Sequence, residues 1–291
     1  MLRRRFFPAC LIVSLVLLLL PLTLRADPVL PNFDPANFTA GAPIDNPFFP
    51  LSVGTTFRWE ATVTDPEDNS TSHQVEQDFV TSQTKTLGGV LARVVHSTVH
   101  VDGEQEEDTL DYYAQDKFGN VWYLGEDTKS FERDDEGNII STDTTGSWHA
   151  GINGAKPGFI MPNEAQLKVG FEYFQESAPA DDALDQAKVE SLTKSVNIPF
   201  GSFTDVLQTR ESSSLEPGFH ENKYYAKGVG LLVAEEDITS DGKIGDTLRL
   251  TSITHGGPAV IPLPPAAWTG MSTLALLLVG KGLRRARRRS R

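Results

Sequence analysis

Short runs of alternating polar and apolar residues, separated by turn-forming residues, fill most of the chain between residues 54 and 255. Segment 57–61 is one such run, in which Phe57, Trp59 and Ala61 are separated by charged residues. A period of two places apolar side chains on one face of a β-strand. Turn-forming residues occur at Gly88-Gly89, Asp102-Gly103, Phe118-Gly119-Asn120, Glu136-Gly137-Asn138 and Asp241-Gly242. Because such turns join antiparallel strands, the pattern predicts an all-β domain of roughly ten strands.

The fold expected from this pattern is an antiparallel curved sheet or a partly closed β-barrel over residues 51–255. The strand order is left open, and no repeat of fixed period indicates a propeller or a solenoid. Only residues 163–168 and 180–188 are compatible with short helical turns. The acidic residues 104–108 are interpreted as a solvated loop.

Residues 27–50 follow neither the helical nor the strand period and are rich in Pro, Asn and Asp. We therefore expect an extended lead-in to the domain. It should pack through its phenylalanines, which are Phe33, Phe38, Phe48 and Phe49.

Charge is distributed unevenly along the 291 residues. Residues 1–26 and 262–291 contain no acidic residue. All 39 Asp and Glu lie between them, together with 15 of the 26 Lys and Arg, so this middle part has a net charge of −24. A surface of that sign repels polyanions, which argues against nucleic acid as a partner.

Residues 1–26 have the layout of a secretory signal. Three arginines at positions 3–5 precede an apolar run from Leu11 to Leu20, and the segment ends at Ala26. We expect the export machinery to translocate the chain and signal peptidase to cleave it after Ala26. A retained membrane anchor is the alternative. Cys10 is the one cysteine and leaves with the signal, so the mature chain has neither disulfides nor thiolate chemistry.

The C-terminal residues form a second hydrophobic signal. Residues 256–265 are a linker rich in Pro and Gly, and residues 266–283 are apolar and long enough to span a bilayer as a transmembrane helix. Trp268 suits one membrane interface. The basic tail of residues 284–291 should remain in the cytoplasm through Arg284, Arg285, Arg287, Arg288, Arg289 and Arg291. The acidic domain is therefore expected outside the cytoplasmic membrane.

A short proline motif, Pro262-Leu263-Pro264, is followed by Trp268, the apolar helix and the arginine-rich end. In this order they resemble the PEP-CTERM class of bacterial sorting signals, in the variant with Pro-Leu-Pro in place of Pro-Glu-Pro. The resemblance covers residues 262–291 and implies recognition by an exosortase-like processing enzyme, followed by release or attachment at the cell surface.

Sorting systems of this class are associated with Gram-negative bacteria that make exopolysaccharide or biofilm matrix. The resemblance therefore implies exopolysaccharide as a further partner. A plain membrane anchor that faces the periplasm, without processing, is the alternative.

Five segments of the middle part resemble a family of exported bacterial proteins without an assigned activity. They are Asn46–Leu51, Tyr112–Asp116, Gly119–Thr128, Gly154–Pro162 and Tyr224–Leu231. The resemblance spans residues 46–252. It implies one contiguous domain and no particular mechanism.

Sequence motifs for catalysis are absent: the chain contains neither Gly-x-Ser-x-Gly nor His-Glu-x-x-His. Glycosidases use two nearby carboxylates, but among 39 acidic residues the sequence singles out no pair. Asp237, Asp241 and Asp246 surround a glycine turn and predict a weak Ca²⁺ site, with an ordinary hairpin turn as the alternative. No other cofactor is expected.

These observations predict an acidic, non-catalytic protein of the cell surface or matrix. Two alternatives stay open. One is an envelope or polysaccharide hydrolase that uses carboxylates, which requires a compact acid pair in a cleft. The other is a half-barrel that binds a lipid or another small ligand, which requires a continuous apolar cavity.

Overall fold

The computed structural model describes residues 27–64, 70–134 and 137–256. Seventeen β-strands and two short 3₁₀-helices form within these residues. The 3₁₀-helices are Pro35–Asn37 and Pro179–Asp181. The strands are β1 (Ile44–Asn46), β2 (Phe49–Leu51), β3 (Thr55–Thr64), β4 (Thr71–Leu87), β5 (Val90–Val101), β6 (Glu104–Gln115), β7 (Val121–Arg133), β8 (Ile139–Asp143), β9 (Trp148–His149), β10 (Lys156–Met161), β11 (Glu172–Phe174), β12 (Glu176–Ser177), β13 (Asp185–Ile198), β14 (Gly201–Ser213), β15 (Phe219–Ala226), β16 (Gly230–Thr239) and β17 (Asp246–His255).

Fifteen of these strands form one antiparallel sheet, which confirms the predicted all-β class. The order is β11-β13-β14-β15-β16-β17-β3-β4-β5-β6-β7-β10-β12, with β8 and β9 also paired to β7. Most neighbours in the sheet are neighbours in the chain, as hairpin turns require. The pairing of β17 with β3 is the main long-range connection and joins the end of the domain to its beginning.

The two edges of the sheet meet in one short segment. β11 is the outermost strand on one side and β12 on the other, and only Gln175 separates them in the chain. Gly158 on β10 passes so close that an added Cβ would lie 2.2 Å from the carbonyl oxygen of Phe174. The sheet therefore curves round an interior, although its hydrogen-bonded ladder is not closed.

The alternation of apolar and polar residues in the sequence corresponds to an alternation of buried and more exposed side chains in the strands. In β3 the side chains of Phe57, Trp59 and Ala61 are buried, and the residues between them are more exposed. The rings of Phe57 and Trp59 stack with centroids 5.8 Å apart. Apolar burial of this kind contributes roughly 25 cal/mol for each Å² removed from water, so the inward faces of the strands dominate the stability.

The lead-in is fastened to the sheet at its first residues and through its phenylalanines. The Val29 N–H donates to Glu172 O at 2.9 Å, and the Phe174 N–H donates to Val29 O at 3.0 Å. Phe33 and Phe38 contact the Trp122 ring at 5.3 and 6.0 Å between centroids. This packing agrees with the prediction from the sequence.

Two local predictions are wrong. Residues 104–108 form the beginning of β6 rather than a solvated loop, and Glu107 is 4% exposed. The segment 180–188 is helical only through Asp181, and β13 begins at Asp185. In both cases pairing with neighbouring strands of the sheet satisfies the backbone, and this pairing outweighs local preference.

The two terminal signals lie outside the described residues. This applies to the predicted signal peptide of residues 1–26, the predicted transmembrane helix of residues 266–283 and the basic tail of residues 284–291. Within the part of the chain that is described, no helix has the length and apolar character needed to cross a membrane.

Candidate functional site

The curved sheet contains a cavity of about 230 Å³ whose lining is strongly acidic. Lys223 is the one lysine or arginine among the described residues that line it. Aromatic side chains, among them Tyr113, Tyr123 and Tyr225, form part of the walls. Ten carboxyl groups line the cavity, and they belong to Glu76, Asp78, Asp111, Glu126, Glu176, Asp185, Glu211, Glu216, Glu221 and Asp237.

Strand alternation places these groups in the cavity. Asp111 and Tyr113 are two residues apart on β6 and both line the cavity, whereas Tyr112 between them lies on the opposite face. The same spacing brings Glu221, Lys223 and Tyr225 inward from β15.

Asp111 and Glu126 are direct partners in the β6–β7 ladder. Directly opposite residues in an antiparallel pair have Cβ atoms about 4.5–5.5 Å apart. The Tyr123 hydroxyl donates to Asp111 Oδ1 at 2.7 Å. Burial, together with the Asp78 carboxyl, nevertheless raises the pKa of Asp111 from 3.8 to about 8.

The carboxyl group of Glu126 has fewer hydrogen-bond partners than that of Asp111. Its side chain is 5% exposed, and no described residue donates a hydrogen bond to its carboxyl group. Burial, and then the carboxyl groups of Glu176 and Asp111, raise the pKa of Glu126 well above its usual value. The protein itself therefore supplies this carboxyl with neither a donor nor a cation.

Glu76 and Asp78 lie two residues apart on β4 and add a second acidic pair to the same wall. Burial raises the pKa of Asp78 to about 6, although a hydrogen bond from Ser97 opposes the shift. Burial and the neighbouring Asp78 also raise the pKa of Glu76. One carboxylate oxygen of Asp78 is buried without a partner among the described residues.

Lys223 forms ion pairs with two carboxylates on the other side of the cavity. Its ammonium group lies 2.9 Å from Glu211 Oε2 and 3.4 Å from Glu221 Oε2. Burial disfavours the charged form, but the two carboxylates outweigh burial and raise the pKa of Lys223 well above its usual value. Lys223 thus neutralises Glu211 and Glu221 and forms no ion pair with Asp111 or Glu126.

One end of the cavity is closed by the β1–β2 hairpin. The Phe49 ring packs edge-on against Tyr113 at 5.4 Å. The Asn46 side-chain amide donates to Gly119 O at 2.8 Å and to Pro162 O at 3.1 Å. These bonds fasten the hairpin firmly at this end.

The opposite end of the cavity is formed by the connection between β14 and β15. Ser212, Glu216, Phe219 and His220 line it, and the tip of the connection is exposed at Leu215. Burial and the nearby Arg210 lower the pKa of His220.

The predicted calcium ligands are distributed over separate elements. Asp237 lies on β16 and lines the cavity, whereas Asp241 lies in the following turn, where the Thr239 hydroxyl donates to it. Asp246 is buried at the start of β17. Within the described residues no three acidic or histidine side chains are arranged to hold a metal ion. A Ca²⁺ site at these residues stays a prediction.

The predicted sorting residues Pro262, Leu263, Pro264 and Trp268 lie outside the described residues, as do the predicted cleavage residue Ala26 and the C-terminal arginines. The acidic cavity was missed by sequence reasoning. In the sequence, the cavity corresponds to acidic residues that alternate with tyrosines in β6 and β15. This pattern does not show whether the acidic face of the strand points inward or outward.

A second polar cluster lies on the outer face of the sheet. Lys85 Nζ is 2.7 Å from Asp127 Oδ2, 3.2 Å from the Tyr112 hydroxyl and 3.1 Å from His149 Nε2. His149 Nε2 is also 2.9 Å from Asp127 Oδ1. Every member has a partner, so we interpret this outer cluster as structural.

No protein-family model matches the chain, and no curated protein is significantly similar to it. Two solved structures match part of it. One is a protein of Bacteroides fragilis NCTC 9343, provisionally named as exported and with a YmcC-like fold, at 13% identity and a TM-score of 0.36. The other is provisionally named as a lipoprotein of Parabacteroides distasonis ATCC 8503, at 16% identity and a TM-score of 0.32. Each match covers 72% of this chain and 99% of the other.

Proposed function

We propose that this chain is an exported, non-catalytic protein of the cell envelope or matrix that binds a small, polar ligand inside its curved sheet. The observation that carries the proposal is the cavity of about 230 Å³, in which ten carboxyl groups converge with aromatic rings. A concave site with convergent polar groups and perturbed pKa values is the usual form of a binding site.

Export and sorting are proposed from the two ends of the chain. The signal of residues 1–26 engages the export machinery and signal peptidase. The tail of residues 262–291 engages an exosortase-like enzyme or holds the protein in the membrane. The acidic domain then lies in the periplasm or at the cell surface, where exopolysaccharide is a possible neighbour.

The ligand should be rich in hydrogen-bond donors. An ionised carboxylate only accepts hydrogen bonds, and a protonated carboxyl donates one but can still accept others, so acceptors outnumber donors in the cavity and a bound molecule should supply N–H or O–H groups. A lipid fits poorly, because an acyl chain would bury the carboxyl group of Glu126 against hydrocarbon without a partner. The lipid-binding alternative therefore has no support from this cavity.

The test is the mass of the protein purified from its own host, measured under native and then denaturing conditions. We expect a native mass that exceeds the polypeptide mass by one small molecule, which is lost on denaturation. The Glu126→Gln variant should lose this excess, whereas Glu132→Gln, an exposed change on the same strand, should keep it. Equal native and denatured masses for the wild-type protein would count against the proposal.

Carboxylate-based hydrolysis is a second candidate, because Asp111 and Glu126 lie directly opposite each other. Retaining glycosidases use two carboxyl groups about 5 Å apart, one protonated and one ionised. Burial and neighbouring carboxyl groups raise the pKa of Asp111 to about 8 and that of Glu126 well above its usual value, so the pair can supply the protonated acid at neutral pH. Release of reducing ends from host exopolysaccharide, lost in Glu126→Gln, would favour hydrolysis over simple binding.

A further inference from the structure

We infer that Asp111 and Glu126 form a subsite for an ammonium group, so that the ligand of the cavity is a small organic amine. This inference rests on the proposed function and narrows its ligand class.

The first reason is the unpartnered carboxyl of Glu126. This side chain is more than nine-tenths buried, lines the cavity and receives no hydrogen bond from the described residues. Buried polar groups in folded proteins almost always have a hydrogen-bond partner. The carboxyl group therefore marks the place where a ligand donor belongs.

The second reason is charge. Lys223 is bound by Glu211 and Glu221 on the other wall, and Asp111 receives hydrogen bonds only from the neutral hydroxyls of Tyr123 and Tyr113. A neutral polyol would supply donors to the acidic pair without stabilising its ionised form. An ammonium group supplies three donors together with a positive charge, which favours ionisation of both carboxyl groups.

The third reason is the aromatic wall next to the pair. Tyr113 and Tyr123 stack with ring centroids 5.1 Å apart, and both line the cavity. Aromatic faces attract cations that lie within about 6 Å of the ring centroid. The volume of about 230 Å³ is smaller than the usual drug-sized site, so it favours a small amine.

The experiment compares 1,4-diaminobutane with its neutral isostere 1,4-butanediol and with glucose, by calorimetric titration of the mature protein above pH 8. Asp111 is then largely ionised, and an alkylamine still carries its charge. We expect the diamine to bind at least about tenfold more tightly than the diol. Glu126→Gln should weaken diamine binding by a similar factor, whereas Glu132→Gln should leave it unchanged.

Two results overturn the inference in different ways. If glucose or the diol binds as tightly as the diamine, the ammonium subsite is wrong but the proposed binding function stands. If the diamine, the diol and glucose all fail to bind the wild-type protein, the proposed function fails as well. Calcium chloride serves as a further probe, because Ca²⁺ binding that needs Glu126 without amine binding would also overturn the amine assignment.

Discussion

Asp111 and Glu126 face each other across the β6–β7 ladder with both carboxyl groups in the interior cavity. Like charges that lie directly opposite in a sheet destabilise it, and burial adds to the penalty. Residues chosen for stability alone would be apolar at these two positions, as is Val95, the buried β5 partner of Asp111 on the same face. The pair is therefore the feature of the fold that most calls for a functional reason.

Replacing Glu126 by Gln should stabilise the protein in the absence of ligand. The amide removes a buried carboxyl that repels Asp111 and Glu176, and it can donate to Asp111. We expect the free energy of unfolding to rise by about 1 kcal/mol near pH 8, measured by urea denaturation. Glu132→Gln, at an exposed position of β7, should change it by less than about 0.5 kcal/mol. A destabilised Glu126→Gln protein would mean that the carboxyl has a structural partner.

Stability should fall as the pH rises from about 4 to about 8. Folding raises the pKa of Asp111 from 3.8 to about 8, and that of Asp78 to about 6. Between these values the folded protein binds more protons than the unfolded chain, so deprotonation favours unfolding. Thermal unfolding followed across this range should show the decline, and Asp111→Asn should flatten it. An unchanged slope in that variant would assign the pH dependence to other groups.

Lys85→Met should weaken the outer cluster without affecting the cavity. The substitution removes the ion pair to Asp127 and the contact of the ammonium group with the Tyr112 ring. Because both charged side chains are more than one-third exposed, we expect a loss of only about 0.5–1 kcal/mol in urea denaturation. Diamine affinity should stay at the wild-type value. A large loss of affinity would show that the two faces of the sheet are coupled.

Gly158→Ala should be strongly destabilising because β10 has no room for a side chain at this position. The new methyl group would lie 2.2 Å from Phe174 O and 2.7 Å from the Gln175 backbone, so the edges of the sheet must separate. We expect a loss of about 3 kcal/mol in the free energy of unfolding. Gly201→Ala is the matched control, since its new methyl group would meet only the Phe203 ring at 3.4 Å. Equal stability of the two variants would contradict the close approach.

Replacing both Pro262 and Pro264 by Ala should leave export intact and block processing of the tail. The expected readout in the native host is a chain that has lost residues 1–26 but retains residues through Arg291, measured by intact mass. The wild-type chain should end near Pro264. If the double variant is processed like the wild type, the sorting signal is assigned wrongly.

Local patterns were sufficient for some strands and turns of this protein, although not for the start of β6 or of β13. The alternation at Phe57, Trp59 and Ala61 predicts β3 because a period of two is a property of neighbouring residues. The turn at Asp102-Gly103 was predicted from residue types that tolerate positive φ, and both residues have it, at 52° and 90°. The predicted packing of Phe33 and Phe38 likewise needed only their position ahead of the domain.

The sequence by itself determined the all-β class, the hairpins and the charge of the domain, since these follow from residue types and their spacing. Only the tertiary structure decided which face of each strand turns inward, because alternation is symmetric and a shift of one residue exchanges the two faces. The resulting register buries Glu126 opposite Asp111. It places the ammonium group of Lys223 next to Glu211 and not next to this pair. The cavity therefore depends on register between strands, which long-range pairing sets and local sequence does not encode.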